Sequence, residues 1–310
     1  MSRPSAPRLV VAINPAACFG KNPEVGPLVL TLLREAGFQV EGIHASSYDA
    51  LREDLRRILD TTVTALVVVG GDGMVHLGAE LCGKYDLPLG VIPSGTGNDL
   101  ARHLGIPLAD PAAAVAMFID ALAAGPQEID LGVVVGESGA STAFACVLSA
   151  GFDAIVNERA NRLRFPKGRH RYTLALLIEL MKLRPLSYTL EIDGVKETGT
   201  YLLVAVANSR SFGGGMKVAP AASLTDGLLD VFTLTPLSRL AFLRIYPRVF
   251  RGTHVSDPRV TIRHARRVGI AVEGVIAYAD GEAVGPLPLE VSVSPKALRV
   301  FAPALAPHAD

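Results

Sequence analysis

The sequence predicts two domains of different class: an α/β domain built on a parallel sheet, then a mainly antiparallel β domain. Three observations predict it. Short apolar runs alternate with amphipathic helical stretches as far as about Gly125. Beyond that point strand-like runs follow one another with only two helical interruptions. The chain has 310 residues, 49% hydrophobic and 19% charged, which is enough to bury two cores in a size range where chains divide into domains. Alternating strand and helix calls for a parallel sheet covered on both faces, and consecutive strands call for antiparallel pairing.

Residues 8–13 read as the first strand, which ends in Asn14-Pro15-Ala16-Ala17-Cys18-Phe19-Gly20-Lys21. Pro23 falls near the first turn of a helix, where its missing N–H costs little. Val25, Leu28, Val29, Leu32, Leu33 and Ala36 give that helix one apolar face, and Gly37 suits its end. Residues 38–43 form a second strand and 49–59 a second helix, with Leu51, Leu55, Ile58 and Leu59 inward. The apolar, β-branched run 65–69 is a third, buried strand, followed at once by Gly70, Gly71, Asp72 and Gly73, with a helix beginning near Met74. Residues 87–92 make a fourth strand, a short helix runs to His103, and 111–124 is an alanine-rich helix. In the second domain, strands are expected over 129–135, 142–149, 187–192, 201–207, 228–234, 259–262, 268–272, 275–278, 289–293 and 297–301. Helices are expected over about 169–183 and 237–250, with turns at Asp193-Gly194 and Asp226-Gly227.

Composition excludes several function classes. Lys and Arg number 30 and Asp and Glu number 30, so the formal charge is zero, which argues against a nucleic-acid partner. Cys18, Cys82 and Cys146 lie too far apart for metal-ligand spacing, and they fit a reducing compartment better than a disulfide framework. The seven histidines have no metal spacing either, and His76 and His103 read as loop or cap residues. Neither a signal peptide nor a membrane-spanning run is expected.

Ligand loops should lie at the carboxyl ends of the parallel strands. In Gly70–Gly73, glycine lets backbone N–H groups approach an anion, and the helix start favours phosphate. Asp72 would repel a phosphate unless it orders the loop, works through Mg²⁺ or touches a hydroxyl. The 14–21 loop stands where a nucleotide phosphate would sit, without a Walker or dinucleotide fingerprint; otherwise it is a surface turn with a solvated Lys21. In Pro93-Ser94-Gly95-Thr96-Gly97-Asn98-Asp99, Thr96 between glycines could reach a phosphate and Asp99 a hydroxyl or metal water, or Asn98 or Asp99 simply caps the helix. Gly213, Gly214 and Gly215 point to close backbone approach or a flexible hairpin. Asp226-Gly227-Leu228 is a hairpin turn or a cation site of one carboxylate and carbonyl oxygens. Asp280-Gly281-Glu282 is a common turn that could present Glu282 as a general base. Arg162, Arg164, Lys167, Arg169 and Arg171, with the apolar residues that follow to Leu183, could meet an anionic membrane or form a core helix with a solvated basic start.

Taken in order, these motifs resemble the diacylglycerol kinase catalytic-domain family, lipid kinases related to sphingosine kinases. The residues that carry the likeness are Asn14-Pro15, Gly70–Gly73, Gly95-Thr96-Gly97-Asn98-Asp99-Leu100-Ala101, Gly213–Met216, Asp226–Asp230 and Asp280–Glu282, which cover nearly the whole chain. The resemblance implies an α/β nucleotide domain over 1–127, a β-sandwich lipid domain over 128–295, and a return of 296–310 to the first. ATP would lie in the cleft between them, held by Asn14, Pro15, Ala16, Ala17, Cys18, Gly70, Gly71, Asp72, Gly73, Met74, Val75, His76 and Thr96, with Ser46, Asn98 and Asp99 nearby. Glu282 matches the catalytic base, with Asp280 beside it, and Asp226 with the carbonyls of Ser223 and Leu228 matches a structural Mg²⁺ site. Where the family has Thr, Asn and Glu after its glycine turn, this chain has Met74, His76 and Leu77, so side-chain help to the nucleotide is missing there.

The expected function is transfer of the γ-phosphoryl of Mg-ATP to a lipid hydroxyl, most directly that of diacylglycerol. The enzyme is expected in the cytoplasm, peripheral at the inner membrane face, with a homodimer open to it. The alternatives are an NAD kinase-like phosphotransferase and a non-catalytic lipid- or nucleotide-binding regulator.

Overall fold

The structure, a computed structural model, describes residues 6–14, 24–136, 139, 141–151, 154, 156, 159 and 184–304. The chain divides into two compact units, Met1–Ile129 with Lys296–Asp310, and Asp130–Pro295.

The first unit runs β1 (Arg8–Ile13), α1 (Val25–Glu35), β2 (Gln39–His44), α2 (Tyr48–Ile58), β3 (Ala65–Gly70), α3 (Asp72–Tyr85), β4 (Leu89–Pro93), α4 (Asp99–His103) and α5 (Pro111–Ala124). Its strands lie in the order β2-β1-β3-β4, all parallel. Every residue of β3 and β4 is buried, as a sheet covered on both faces requires. Val29, Leu30 and Leu33 of α1 and Leu51 and Leu55 of α2 supply inward faces. Ser47 caps α2 by accepting from Ala50 N, and Asp110 caps α5 by accepting from Ala112 N and Ala113 N, each cap contributing about 1 kcal/mol. Phe118 of α5 is fully buried over Gly90, where a Cβ would stand 2.5 Å from its ring. The same ring meets Phe301 edge-on at 5.3 Å, and Val300 and Phe301 pair parallel to Leu89 and Gly90, so the end of the chain closes this core.

The second unit contains β6 (Ser141–Phe144), β7 (Val147–Ser149), β8 (Leu186–Ile192), β9 (Val195–Tyr201), β10 (Leu203–Ala207), β11 (Leu229–Leu234), α6 (Arg239–Val249), a 3-10 turn (Thr253–Ser256), β12 (Val260–Ala265), β13 (Arg267–Ala271), β14 (Ile276–Ala279) and β15 (Glu282–Pro286). Two further strands, β5 (Gln127–Val135) and β16 (Leu289–Phe301), carry the chain from one unit into the other. One antiparallel sheet has the order β12-β11-β10-β7-β14-β15, and β16, β13, β8 and β9 pair antiparallel in the other. Side chains of both meet in one core that includes Phe144, Leu148, Tyr188, Val204, Val231 and Val291. Tyr188 is completely buried and satisfies its hydroxyl by donating to Ala150 O at 2.8 Å. This is a β-sandwich.

The structure departs from the sequence expectation in several places. The run 142–149 is two strands in different sheets, because Ala145 and Cys146 stand between them and donate their N–H groups, with that of Val147 at the start of β7, to the Asp280 carboxylate. The runs 289–293 and 297–301 are one strand, whose Leu289–Ser292 part pairs with β13 and whose last residues pair with β4. β9 and β15 were not expected. β9 is a polar strand at the edge of its sheet, with Val195 69% exposed, so it carries no buried alternation to read. Asp226-Gly227 forms a loop ahead of β11 and not a hairpin turn. The helix expected over 169–183 lies outside the described residues.

His254 offers a pH readout of this packing. It is 1% exposed, its Nε2 donates to Val218 O at 3.2 Å, and its Nδ1 is buried with no hydrogen-bond partner among the described residues. Burial holds its pKa below the usual value, with the Arg248 charge acting in the same direction and the Val218 bond opposing them. The folded protein therefore keeps the ring neutral, while the unfolded chain takes up a proton below about pH 6.5. Stability from this site is present above that value and is lost as pH falls. Urea denaturation at about pH 7.5 and about pH 5.5 should show the wild type losing more stability on acidification than His254→Gln.

Candidate active site

The two glycine turns of the first unit leave the carboxyl ends of neighbouring parallel strands, with Gly70 of β3 in register with Pro93 of β4. That is where an open α/β sheet places ligands. Only Gly71 separates β3 from α3, so the helix begins at Asp72, two residues earlier than the sequence indicated. Ser94 N donates to Gly70 O at 2.9 Å. The backbones of the turns touch: a Cβ on Gly95 would stand 2.3 Å from Gly71 Cα, a main-chain atom with no rotamer to give way.

Asp72 fastens one turn to the other. Its Oδ2 accepts from Asn98 N at 3.0 Å and its Oδ1 from Asp99 N at 2.7 Å. The N-terminus of α4 is thus capped from another element; Asn98, the cap residue, makes no capping bond with its own side chain. Asn98 instead closes its own turn, with Oδ1 accepting from Gly95 N and Nδ2 donating to Gly95 O, at a left-handed φ of 55° that asparagine tolerates. Gly97 leaves room for the clamp, since a Cβ there would lie 2.2 Å from Asp72 Oδ2. Chemically the result is a main-chain surface at the start of a 14-residue helix, suited to an anion, with the Asp72 carboxylate committed to internal N–H groups and Asp99 buried beside it at 2% exposure.

Among the expected nucleotide residues, Met74 and Val75 turn inward. They are 2% and 4% exposed, both their N–H groups donate to Gly71 O, and the Met74 side chain fills the space beside Gly70. They can offer a phosphate neither side chain nor amide. Leu77 is fully buried, so its replacement of a polar family residue is absorbed by the core. Thr96 and Ser46 are exposed, and His76, Asn14, Gly71, Asp72 and Gly73 are half-buried. Pro15, Ala16, Ala17 and Cys18 lie outside the described residues. Sequence reasoning missed Tyr48, whose hydroxyl donates to Gly73 O at 3.3 Å and steadies the turn from α2.

In the second unit, Asp280 and Gly281 form the two-residue turn between β14 and β15, both at positive φ, 49° and 90°. Asp280, expected beside the catalytic base, holds backbone: Oδ2 accepts from Ala145 N at 2.7 Å, and Oδ1 from Cys146 N at 2.9 Å and Val147 N at 3.0 Å. Glu282, the first residue of β15, is exposed on the far side of that rigid turn. Gly213, Gly214 and Gly215 have φ values of 61°, 87° and 100°, and the Phe212 and Met216 backbones pair across them, a run of left-handed residues that only glycine sustains cheaply.

The 223–228 loop is held by Asp130, a second residue that sequence reasoning missed. Asp130 is 1% exposed; its N–H donates to Leu224 O at 2.7 Å and its Oδ2 accepts from Gly227 N at 2.7 Å. A buried Asp inside the apolar run Ile129-Asp130-Leu131 was the available signal. Asp226 Oδ1 accepts from Leu228 N at 3.0 Å. Among the described residues no three His, Cys, Asp or Glu side chains cluster for a metal. The oxygen donors that the resemblance assigns to Mg²⁺, the Asp226 carboxylate with the Ser223 and Leu228 carbonyls, are too few for an all-protein cage, so an ion held by them would keep several waters.

Fold and loops together define an α/β domain with glycine turns at the carboxyl ends of its parallel strands, followed by a β-sandwich. Residues 8–134 match the diacylglycerol kinase catalytic domain, and residues 146–302 match the YegS C-terminal NAD kinase beta sandwich-like domain. A diacylglycerol kinase of Mycobacterium tuberculosis is 38% identical over 298 residues, covering 96% of this chain and 95% of that protein. One of Bacillus subtilis is 32% identical over 276 residues, covering 84% and 85%. A solved diacylglycerol kinase structure from Bacillus anthracis shares the fold, with TM-score 0.71 at 17% identity over 97% of this chain and 98% of that one. The chain belongs to the diacylglycerol kinase family and is a lipid kinase.

Proposed function

We propose that the enzyme transfers the γ-phosphoryl of Mg-ATP to the free hydroxyl of diacylglycerol, giving phosphatidic acid and ADP. The observation that carries this reading is the Asp72 clamp, which holds two glycine turns, in contact at Gly71 and Gly95, at the carboxyl ends of adjacent strands as a main-chain surface suited to phosphate. Met74 and Val75 amides are committed, so the phosphate-facing amides are those ahead of them in the chain. Glu282 takes the proton of the acceptor hydroxyl, and Asp280 keeps its turn rigid. Mg²⁺, when bound, supplies positive charge against the phosphates. Positioning and electrostatics account for most of the acceleration expected of such a site. The enzyme works at the cytoplasmic membrane face; no helix among the described residues is long and apolar enough to cross a membrane. The membrane contact expected at residues 162–183 lies outside the described residues.

A second reading, phosphorylation of NAD, is favoured by the likeness of residues 146–302 to a domain described as NAD kinase beta sandwich-like. γ-Labelled ATP offered with diacylglycerol, a mixed lipid extract and NAD separates the readings. Label in phosphatidic acid is expected. Label in another lipid or in NAD, or nucleotide binding without transfer to any acceptor, would overturn diacylglycerol as substrate.

A further inference from the structure

α6 carries an apolar stripe that none of the roles above uses. Phe242 and Ile245 turn inward at 6% and 4% exposure, while Leu240, Leu243, Phe250 and Val255 stand 70%, 50%, 44% and 44% exposed. Leu240, Leu243 and Phe250 recur at helical spacing, so they project from one side. The stripe is held in place. Tyr246 stacks on Phe242 at 5.9 Å and meets Phe250 edge-on at 5.8 Å. Val249 O accepts from Lys217 N at 3.1 Å, and Arg248 donates to Thr253 O and Ser256 Oγ, fastening the end of the helix to the turn that carries Val255.

Charge says what the stripe faces. From Val231 to Ser256 the chain contains no Asp or Glu, but it has Arg239, Arg244 and Arg251, besides Arg248, which pairs with Asp257 at 3.8 Å. Arg244 and Arg251 are exposed and adjoin Leu243 and Phe250 along the chain. We propose that this face of α6 is the surface by which the enzyme docks on an anionic lipid bilayer. Leucine and phenylalanine tips enter the boundary between headgroups and acyl chains, and the guanidinium groups sit at the lipid phosphates. A second copy of the chain fits less well, because a two-fold contact through this face sets arginines against arginines with no carboxylate from the segment to offset them. The inference goes beyond the proposed reaction, since docking does not depend on which hydroxyl is phosphorylated.

The test is co-sedimentation of the full chain with vesicles of phosphatidylcholine containing about one third phosphatidylglycerol, and with phosphatidylcholine alone. The wild type should bind the anionic vesicles, bind phosphatidylcholine alone weakly, and release as salt is raised. Arg244→Ala with Arg251→Ala should weaken binding on the order of 25-fold, about fivefold for each charge removed. Leu240→Glu with Leu243→Glu should weaken it at least about tenfold. Thermal midpoints equal to wild type establish that both variants fold. Folded variants that bind anionic vesicles as the wild type does would overturn the proposal. So would sedimentation velocity showing a wild-type dimer that Leu240→Glu with Leu243→Glu dissociates, which would assign the face to a second copy. Labelling of diacylglycerol is read separately, so failure of docking and failure of the kinase reading are distinguishable.

Discussion

Glu282→Gln is expected to lower phosphoryl transfer by about 10²–10⁴-fold, the range a general base supplies, with unchanged ATP affinity and unfolding midpoint. Asp280→Ala should behave differently, although the two residues share one turn. Its carboxylate accepts from three backbone N–H groups at 2.7, 2.9 and 3.0 Å. Removing it strands those donors where the chain leaves one sheet for the other. Each stranded donor costs about 1–3 kcal/mol, and non-additivity brings the total to about 3–5 kcal/mol. Activity should fall as well, because the turn that presents Glu282 loses its anchor. Asp280→Asn is the sharper comparison. Asparagine tolerates the left-handed backbone at φ 49°, but its amide nitrogen must face an N–H donor, so an intermediate loss of stability is expected. Urea denaturation and turnover measured on the three variants decide the roles. Wild-type turnover in Glu282→Gln would remove it as base, and a wild-type midpoint in Asp280→Ala would remove it as scaffold.

Asp72→Ala is expected to cost about 3 kcal/mol of stability and to raise the KM for ATP by at least about tenfold. The two bonds it loses are charge-assisted, each worth about 1.5–3 kcal/mol. They also cap the N-terminus of α4 and link turns 26 and 27 residues apart in sequence. Without the clamp, Gly95 and Gly71 need not stay in contact, and the phosphate surface is no longer preformed. Asp72→Asn keeps one acceptor and should fall between. An unchanged KM in a destabilised Asp72→Ala would show that the clamp serves the fold alone. A change in KM at unchanged stability would show instead that Asp72 meets the nucleotide directly.

These expectations separate what could be read in the chain from what could not. The parallel half was legible because its signals are local: an apolar β-branched run such as 65–69, a glycine break and an amphipathic helix each span a few residues. The positions of the glycine turns, of Asp280-Gly281-Glu282 and of the 223–228 loop were legible for the same reason. The polar edge strand β9 was not, because a strand with little buried surface writes no periodicity into the sequence. The split between β6 and β7 was hidden too, since its cause is a carboxylate more than a hundred residues away, with separations of 133 to 135.

The sequence by itself determined the two classes of domain and most of the element order, which follow from local propensity and spacing, and its ordered motifs carried the family resemblance that singled out the candidate site residues. Only the tertiary structure decided how those residues are used. It committed Asp72 and Asp280 to backbone amides, turned Met74 and Val75 into the core, brought Asp130 to the 223–228 loop and left the α6 stripe uncovered. A carboxylate's role depends on which donors reach it and on what is buried around it, and those are set by contacts between segments far apart in the chain.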